Sequence, residues 1–240
     1  ICFERGFLAD RAKLVRDVVI PYQWEALNDR IPGAERSGTV HNFQVAAGEK
    51  KGEFYGLWFQ DSDLAKWLEA ASFSLATHPD PKLDAEIDVV IETIAKAQES
   101  DGYLDTYIQL TAPDKKWTNL FEWHELYIAG HFIEAGVAHF EATGKRTLLD
   151  VVRKLADMIA RVFGKAEGQI LGFHFDNTRQ GRTLFAATDK GIWRSDDSGK
   201  TWAEKTAGLP ARDIQGFAGG SNEAGALVIL YATLPSLMEN

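Results

Sequence analysis

The chain has 240 residues, 45% of them hydrophobic and 25% charged, which suits a globular protein with room for a sizeable core. Its 26 basic and 35 acidic side chains give a formal charge of −9, which argues against a nucleic-acid partner or an anionic membrane surface. Cys2 is the single cysteine, so an internal disulfide and a multi-cysteine metal site are both excluded for this chain.

No apolar run reaches the roughly 18 residues that a membrane helix needs. The opening stretch ICFERGFLADRAKL lacks both methionine and the basic start and apolar core of a signal peptide, so it reads as the beginning of a fragment. A cytoplasmic location is the default expectation.

In chain order, Leu14, Val18 and Val19 predict a helix to about Val19, with Pro21 interrupting and a second short helix starting at Tyr22. Residues 28–56 carry Pro32 and five glycines and read as a long loop, with Phe43, Phe54, Tyr55, Trp58 and Phe59 plugging the core beneath it. Asp61 or Ser62 is placed to cap the next helix, whose buried stripe is Leu64, Trp67, Leu68, Ala71 and Leu75. The sequence HPDP at 78–81 ends that helix. Asp80 and Pro81 start another, with Leu83, Ile87, Val90, Ile91 and Ile94 on one face.

Residues 121–140, FEWHELYIAGHFIEAGVAHF, predict one helix with two faces. At a hundred degrees per residue, Leu126, Ile133, Val137 and Phe140 form a core stripe. His124, Tyr127, Ile128, His131 and Ala135 form the other, a mixture of imidazoles, a phenol and small residues that suits the wall of a polar cavity. Gly144 closes this helix, and Leu148, Val151, Val152, Leu155, Met158, Ile159 and Val162 mark its partner over 147–163. A helical hairpin thus occurs twice, about 60 residues apart, which points to a hairpin array.

Past Gly164 the texture changes. RTLFAAT and GIWRS around a turn at Asp189–Gly191 predict a β-hairpin, and ALVILYATL a buried strand. Residues 171–240 hold 7 basic and 8 acidic side chains, a net −1 against −8 for the rest. The organisation read here is a helical domain over 1–170 and a β segment over 171–240: mainly α with a small β tail.

The motifs VAAGEKKGEFYGLWFQDSDLAKWLEAASFSLATHPDP, QESDGYLDTY and WHELYIAGHFIEAGVAHFEATG resemble the bacterial β-L-arabinofuranosidase family of glycoside hydrolases, over about Gly6 to Gln169. The resemblance implies an (α/α)6 barrel, of which this chain holds a part. It also implies a zinc-bound cysteine nucleophile, held with further cysteines and a glutamate, and a separate glutamate acid/base. These lie downstream of the matching stretch, and Cys2 precedes it. No catalytic residue and no cofactor is therefore assigned to this chain, and it is expected to be inactive alone despite an enzymatic lineage. An L-arabinofuranoside-type sugar is the implied ligand. His124 matches a sugar-contacting histidine, and Gln60, Asp61, Tyr103, Asp105 and His131 lie in neighbouring matching motifs.

Ser195, Asp197, Gly199, Thr201 and Trp202 spell S-x-D-x-G-x-T-W, which resembles the Asp-box turn of sialidase-like and sortilin-like β-propellers. That box is structural, and the β segment amounts to about one blade. Part of a barrel joined to one blade reads as a truncation, a fusion or an assembly error. Apolar helix faces left uncovered would favour self-association, or a noncatalytic binding module.

Competing chemistries fit less well. His124 and His131 are seven residues apart, roughly 10 Å along a helix, too far to share one metal ion. Asp61 with Asp63 could be a catalytic carboxylate pair, but Asp61 is better placed as a helix cap. Asp105 could bind hydroxyls or simply fix the turn after Tyr103. His131 reads first as a structural histidine. No serine lies in a nucleophile-elbow context, and Gly216, Gly219 and Gly220 form no nucleotide fingerprint.

Overall fold

The computed structural model of the chain describes residues 5–163, 170–176, 183–197, 199–208, 214–221 and 227–233. It divides into two compact units, Ile1–Met158 and Ile159–Asn240. Among the described residues no helix is long and apolar enough to cross a membrane.

The first unit is helical. It opens with α1 (Phe7–Leu14), a wide π-type turn over Val15–Val19 and α2 (Ile20–Leu27). The interruption expected at Pro21 is absent. Pro21 lies in the first turn of α2, and the wide turn ahead of it absorbs the irregularity that a ring without an N–H imposes. Leu14 and Val18, whose spacing predicts the first helix, are exposed; Ile20 and Leu27 are the buried residues of α2.

The expected loop over 28–56 contains a helix, α3 (Thr39–Ala46). Asn42 holds it against the following segment, its amide donating to the Tyr55 carbonyl at 2.9 Å and its oxygen accepting from the Tyr55 N–H at 3.3 Å. Of the five aromatics expected to plug the core, Phe43 alone is fully buried, while Trp58 is exposed.

The helices α4 (Asp61–Thr77) and α5 (Pro81–Ala97) form where the apolar periodicity places them, and Leu64, Trp67, Leu68, Ala71, Leu75, Ile87, Val90, Ile91 and Ile94 are all buried. Asp80 caps α5 by accepting from the amides of Lys82 and Leu83. Asp61, by contrast, does not cap α4. It is the first helical residue, and its carboxylate turns inward to another partner.

A short helix α6 (Thr106–Thr111), a 3-10 turn at Pro113–Lys115 and a one-turn helix α7 (Leu120–Trp123) lead to α8 (Glu125–Thr143) and α9 (Thr147–Phe163). The single helix expected over 121–140 is therefore broken, because His124 sits in the left-handed region at φ 60°, ψ 20°. Gly144, at φ 73°, closes α8 as expected.

The two stripes of α8 are also redrawn. The buried face is Ile128, Ala129, Phe132, Ala135, Gly136, Ala138 and His139, whereas Val137 is exposed and Leu126, Ile133 and Phe140 are half-buried. Small residues explain the choice: α8 lies along α4, and a Cβ on Gly136 would stand 2.5 Å from a Val152 methyl of α9. The alanines and Gly136 among Ile128 and Phe132 on this face permit a closer approach than a stripe of large side chains alone.

The second unit is a β structure. Strands β1 (Ile170–Asp176), β2 (Thr183–Thr188), β3 (Gly191–Ser195) and β4 (Ala203–Glu204) form an antiparallel meander in that order, and β5 (Ile214–Ser221) pairs antiparallel with β6 (Leu227–Thr233). The hairpin expected around Asp189–Gly191 forms with Thr188 opposite Gly191. Phe185, Ala187, Ile192 and Ile214 make its core.

After β3 the chain folds into a tight turn. Ser195 Oγ donates to Asp197 at 2.7 Å and accepts the Gly199 amide at 2.8 Å, and Asp197 accepts the Thr201 amide at 2.9 Å and its hydroxyl at 2.7 Å. Bonds from the Thr201 hydroxyl and amide hold the Asp197 carboxyl at about 2. The Trp202 indole donates to the Phe163 carbonyl at 2.8 Å.

Candidate functional site

The start of α8 carries two sets of polar groups, one turned inward and one outward. The inward set gathers Glu125, Tyr103, Asp105 and Asp61, which are 2%, 0%, 1% and 2% exposed. Glu125 follows the left-handed His124, and that kink turns its carboxylate into the unit. There it accepts the Tyr103 hydroxyl at 2.5 Å and the Trp117 amide at 2.8 Å.

Asp61 reaches from the first turn of α4 to Thr106, accepting the backbone amide at 2.6 Å and the hydroxyl at 2.7 Å. Asp105 caps α6 through Oδ1, which accepts the Ile108 amide at 3.0 Å, while its buried Oδ2 has no hydrogen-bond partner. This accounts for the turn that Asp105 fixes after Tyr103.

Burial governs the charge of this set, because a low-dielectric surround disfavours an ionised carboxyl. It raises Asp61 to about 6 against the pull of the Thr106 hydrogen bonds. It lifts Asp105 well above the carboxylate range, with the Asp61 charge adding to the effect. Glu125 is raised by burial too, the Tyr103 hydroxyl and Trp117 amide opposing it. The Tyr103 phenol, buried beside these carboxyls, is pushed far up and stays a donor. Within the set the one hydrogen bond described joins the Tyr103 hydroxyl to Glu125.

The outward set is a row of rings. Trp58 to Phe59, Phe59 to His124, His124 to Tyr127 and Tyr127 to His131 are 5.4, 5.9, 5.9 and 4.5 Å apart between centroids. One carbonyl ties the row together: Glu122 O accepts both the Trp58 indole N–H at 2.6 Å and His124 Nδ1 at 2.8 Å. Since a carbonyl only accepts, Nδ1 carries a proton, which in the neutral tautomer leaves Nε2 as the ring's acceptor. His131 Nδ1 donates likewise to Glu134 at 3.0 Å.

Lys66 flanks the row, donating to the Tyr127 hydroxyl at 2.8 Å and lying 3.8 Å from Asp63. Burial raises the Asp63 carboxyl, and the Lys66 charge opposes it. Rings with faces and edges available, an imidazole acceptor, an ammonium and a carboxylate are the groups that bind a polyhydroxylated ligand.

Of the residues singled out from sequence, Asp61, Tyr103 and Asp105 come together, but inside the unit, bonded to Thr106, Glu125 and the start of α6. His124 and His131 share the outward row. Gln60 joins neither: its side chain accepts the Leu57 amide at 2.6 Å and shapes the turn before α4. Sequence reasoning missed Glu125 as the hub of the inward set and Lys66 beside the row. Both sit on helix faces whose partners lie about 20 to 60 residues away in the chain, as the Tyr103–Glu125 and Lys66–Tyr127 bonds show.

The relatives of this helical unit are specific. Residues 3–177 match the family model described as β-L-arabinofuranosidase, GH127 catalytic domain. The chain is 42% identical over 182 residues to a non-reducing end β-L-arabinofuranosidase of Bifidobacterium longum subsp. longum, covering 69% of this chain and 28% of that protein. It superimposes on the crystal structure of a GH127 β-L-arabinofuranosidase from Geobacillus stearothermophilus T6 with a TM-score of 0.66 and 57% identity, over 70% of this chain and 27% of the other. A second solved GH127 β-arabinofuranosidase gives 0.60 and 36%, over 67% and 26%. The chain belongs to the GH127 β-L-arabinofuranosidase catalytic-domain family of glycoside hydrolases. It spans just over a quarter of the length of each of these relatives.

The zinc that the resemblance implies would need several thiolate donors. The described residues contain no cysteine, and Cys2 lies outside them. With one cysteine in all, the residues present do not fit a zinc-thiolate centre built on several cysteines.

Proposed function

We propose that the helical unit forms part of the sugar pocket of a β-L-arabinofuranosidase-type glycoside hydrolase, and that the chain by itself binds the sugar without cleaving it. In this reading His124 Nε2 accepts a furanose hydroxyl, the rings from Trp58 to His131 pack on the sugar faces, and Asp61, Tyr103, Asp105 and Glu125 position the wall from behind. The observation that carries it is His124 itself. A side chain with a Cβ is held at φ 60° with its Nδ1 pinned, a conformation that persists where the surroundings impose it and that concentrates at functional sites. The single cysteine, set against the several that the family resemblance implies, supports the absence of turnover.

The test is isothermal titration of the full chain with L-arabinose and a β-L-arabinofuranoside disaccharide, repeated on His124→Ala. Saturable binding that the substitution abolishes is expected. A folded chain that binds neither sugar would overturn the pocket reading, and zinc-dependent release of arabinose by the purified chain would overturn the absence of turnover.

A second reading, an interaction module, draws on the apolar residues exposed along the first helices: Phe7, Leu8, Leu14, Val15, Val18 and Tyr22. Self-association that is lost on Leu14→Glu with Val18→Glu would favour it. For the β unit, the Ser195–Trp202 hydrogen bonds support reading the turn as an Asp-box of a propeller-type blade with a structural role.

A further inference from the structure

Away from both sets of α8, the first unit holds a cluster that nothing above uses. Asp84 and Asp88 lie one turn apart on α5 and therefore share a face. His139 faces them from α8, and Lys145 enters from the turn between α8 and α9, bonding Asp84 Oδ1 at 2.7 Å and Asp88 at 2.7 and 2.9 Å. One ligand atom each from Asp84, Asp88 and His139 lie within 4.8 Å of one another.

His139 sets this cluster apart from an ordinary surface ion pair. It is 1% exposed, and neither ring nitrogen has a hydrogen-bond partner. A buried imidazole left unsatisfied beside two carboxylates is unusual, because buried polar groups are as a rule paired.

We propose that Asp84, Asp88 and His139 bind a divalent transition-metal ion of the Zn(II) type, and that Lys145 holds the cation's place when the metal is absent. The ligand set decides the class of ion. Imidazole with carboxylate oxygens suits zinc and its neighbours in the transition series, whereas calcium and magnesium take sites of oxygen alone.

The spacing is compatible. Donors around a tetrahedral ion at about 2.0–2.2 Å stand roughly 3.4 Å apart, so from separations within 4.8 Å the site closes by at most about 1.4 Å on binding. The lysine side chain is 36% exposed and flexible, and can swing to solvent as the ion enters. The three donors leave a fourth position for water. The site is read from side chains that the sugar-pocket proposal does not involve, so the two stand or fall separately.

The experiment is calorimetric titration of the full, untagged chain with ZnCl2, with CoCl2 as a parallel probe whose visible absorption reports coordination. Binding of one ion per chain is expected, with MgCl2 and CaCl2 at least about 100-fold weaker. Removing the competing ammonium in Lys145→Gln should tighten zinc binding by about tenfold or more, and Asp88→Asn should weaken it by at least as much. His139→Gln should abolish it. Should that buried substitution prevent folding, Asp88→Asn and Lys145→Gln, both on partly exposed groups, decide the matter.

A folded chain that binds no zinc even as Lys145→Gln would overturn the proposal and make Lys145 a structural counter-ion. Zinc binding of equal strength in the parent chain and all three variants would place the ion elsewhere and overturn it as well.

Discussion

The two sides of the first turn of α8 face the same chemistry, ionisable groups crowded together, and resolve it in opposite ways. Inside, Glu125, Asp105 and Asp61 have no cation among the hydrogen bonds described, and burial answers by lifting their proton affinities. Outside, Tyr127 and His131 have an ammonium from Lys66 and a carboxylate from Glu134 within hydrogen-bond reach. The difference teaches that adjacent residues in sequence, His124 and Glu125, can face the outer row of rings and the buried hub because one left-handed residue turns the chain between them.

The largest effect should come from removing the clamp beneath this arrangement. Asp61→Ala leaves a buried amide and a buried hydroxyl of Thr106 without an acceptor, which costs about 3 kcal/mol or more of stability, read as a shift in the urea midpoint. If Asp61→Ala were as stable as the parent, the inward set would not be the support it is described as.

Tyr103→Phe deprives Glu125 of its phenolic donor and should cost about 2 kcal/mol, with sugar affinity falling only if the wall shifts. A double substitution with His124→Ala would measure whether the two sides are coupled.

Asp105→Asn sharpens the comparison through pH. The Asp105 carboxyl is raised in the folded chain, so between its unfolded value near 4 and its folded value the native state binds the extra proton, and stability falls as pH rises through that window. The asparagine keeps the Oδ1 cap on Ile108 and cannot ionise. Thermal unfolding at pH 5 and pH 7 should therefore show the variant gaining on the parent at the higher pH. Equal slopes for the two proteins would mean that Asp105 titrates normally.

The smallest effect is expected outside. His124→Gly relieves a side chain from the left-handed region and should raise stability by up to about 1 kcal/mol while removing sugar binding. A loss of stability would show that the imidazole holds the kink rather than serving a ligand.

The sequence by itself determined what a single turn or a single periodicity can encode. The stripes of α4 and α5, the Asp80 cap, the Gly144 stop and the hairpin around Asp189–Gly191 follow from side-chain spacing, from oxygens that satisfy free amides, and from glycine's tolerance of positive φ. The membership of Asp61, Tyr103 and Asp105 in one cluster was partly legible, since their motifs stand out, but not that they would be buried.

Tertiary structure alone decided the rest. Helix α3 forms in a glycine-rich stretch because Asn42 finds Tyr55. The face of α8 that is buried is the one whose small residues admit α4 and α9, although the larger apolar stripe looked the better core. The Asp61 carboxylate leaves the cap position for an amide and a hydroxyl 45 residues away, and His124 breaks a helix that its neighbours' periodicity would continue. Each of these depends on which distant groups compete for the same atoms, and local propensities of a few tenths of a kcal/mol per residue yield to a buried hydrogen bond or a closer packing distance.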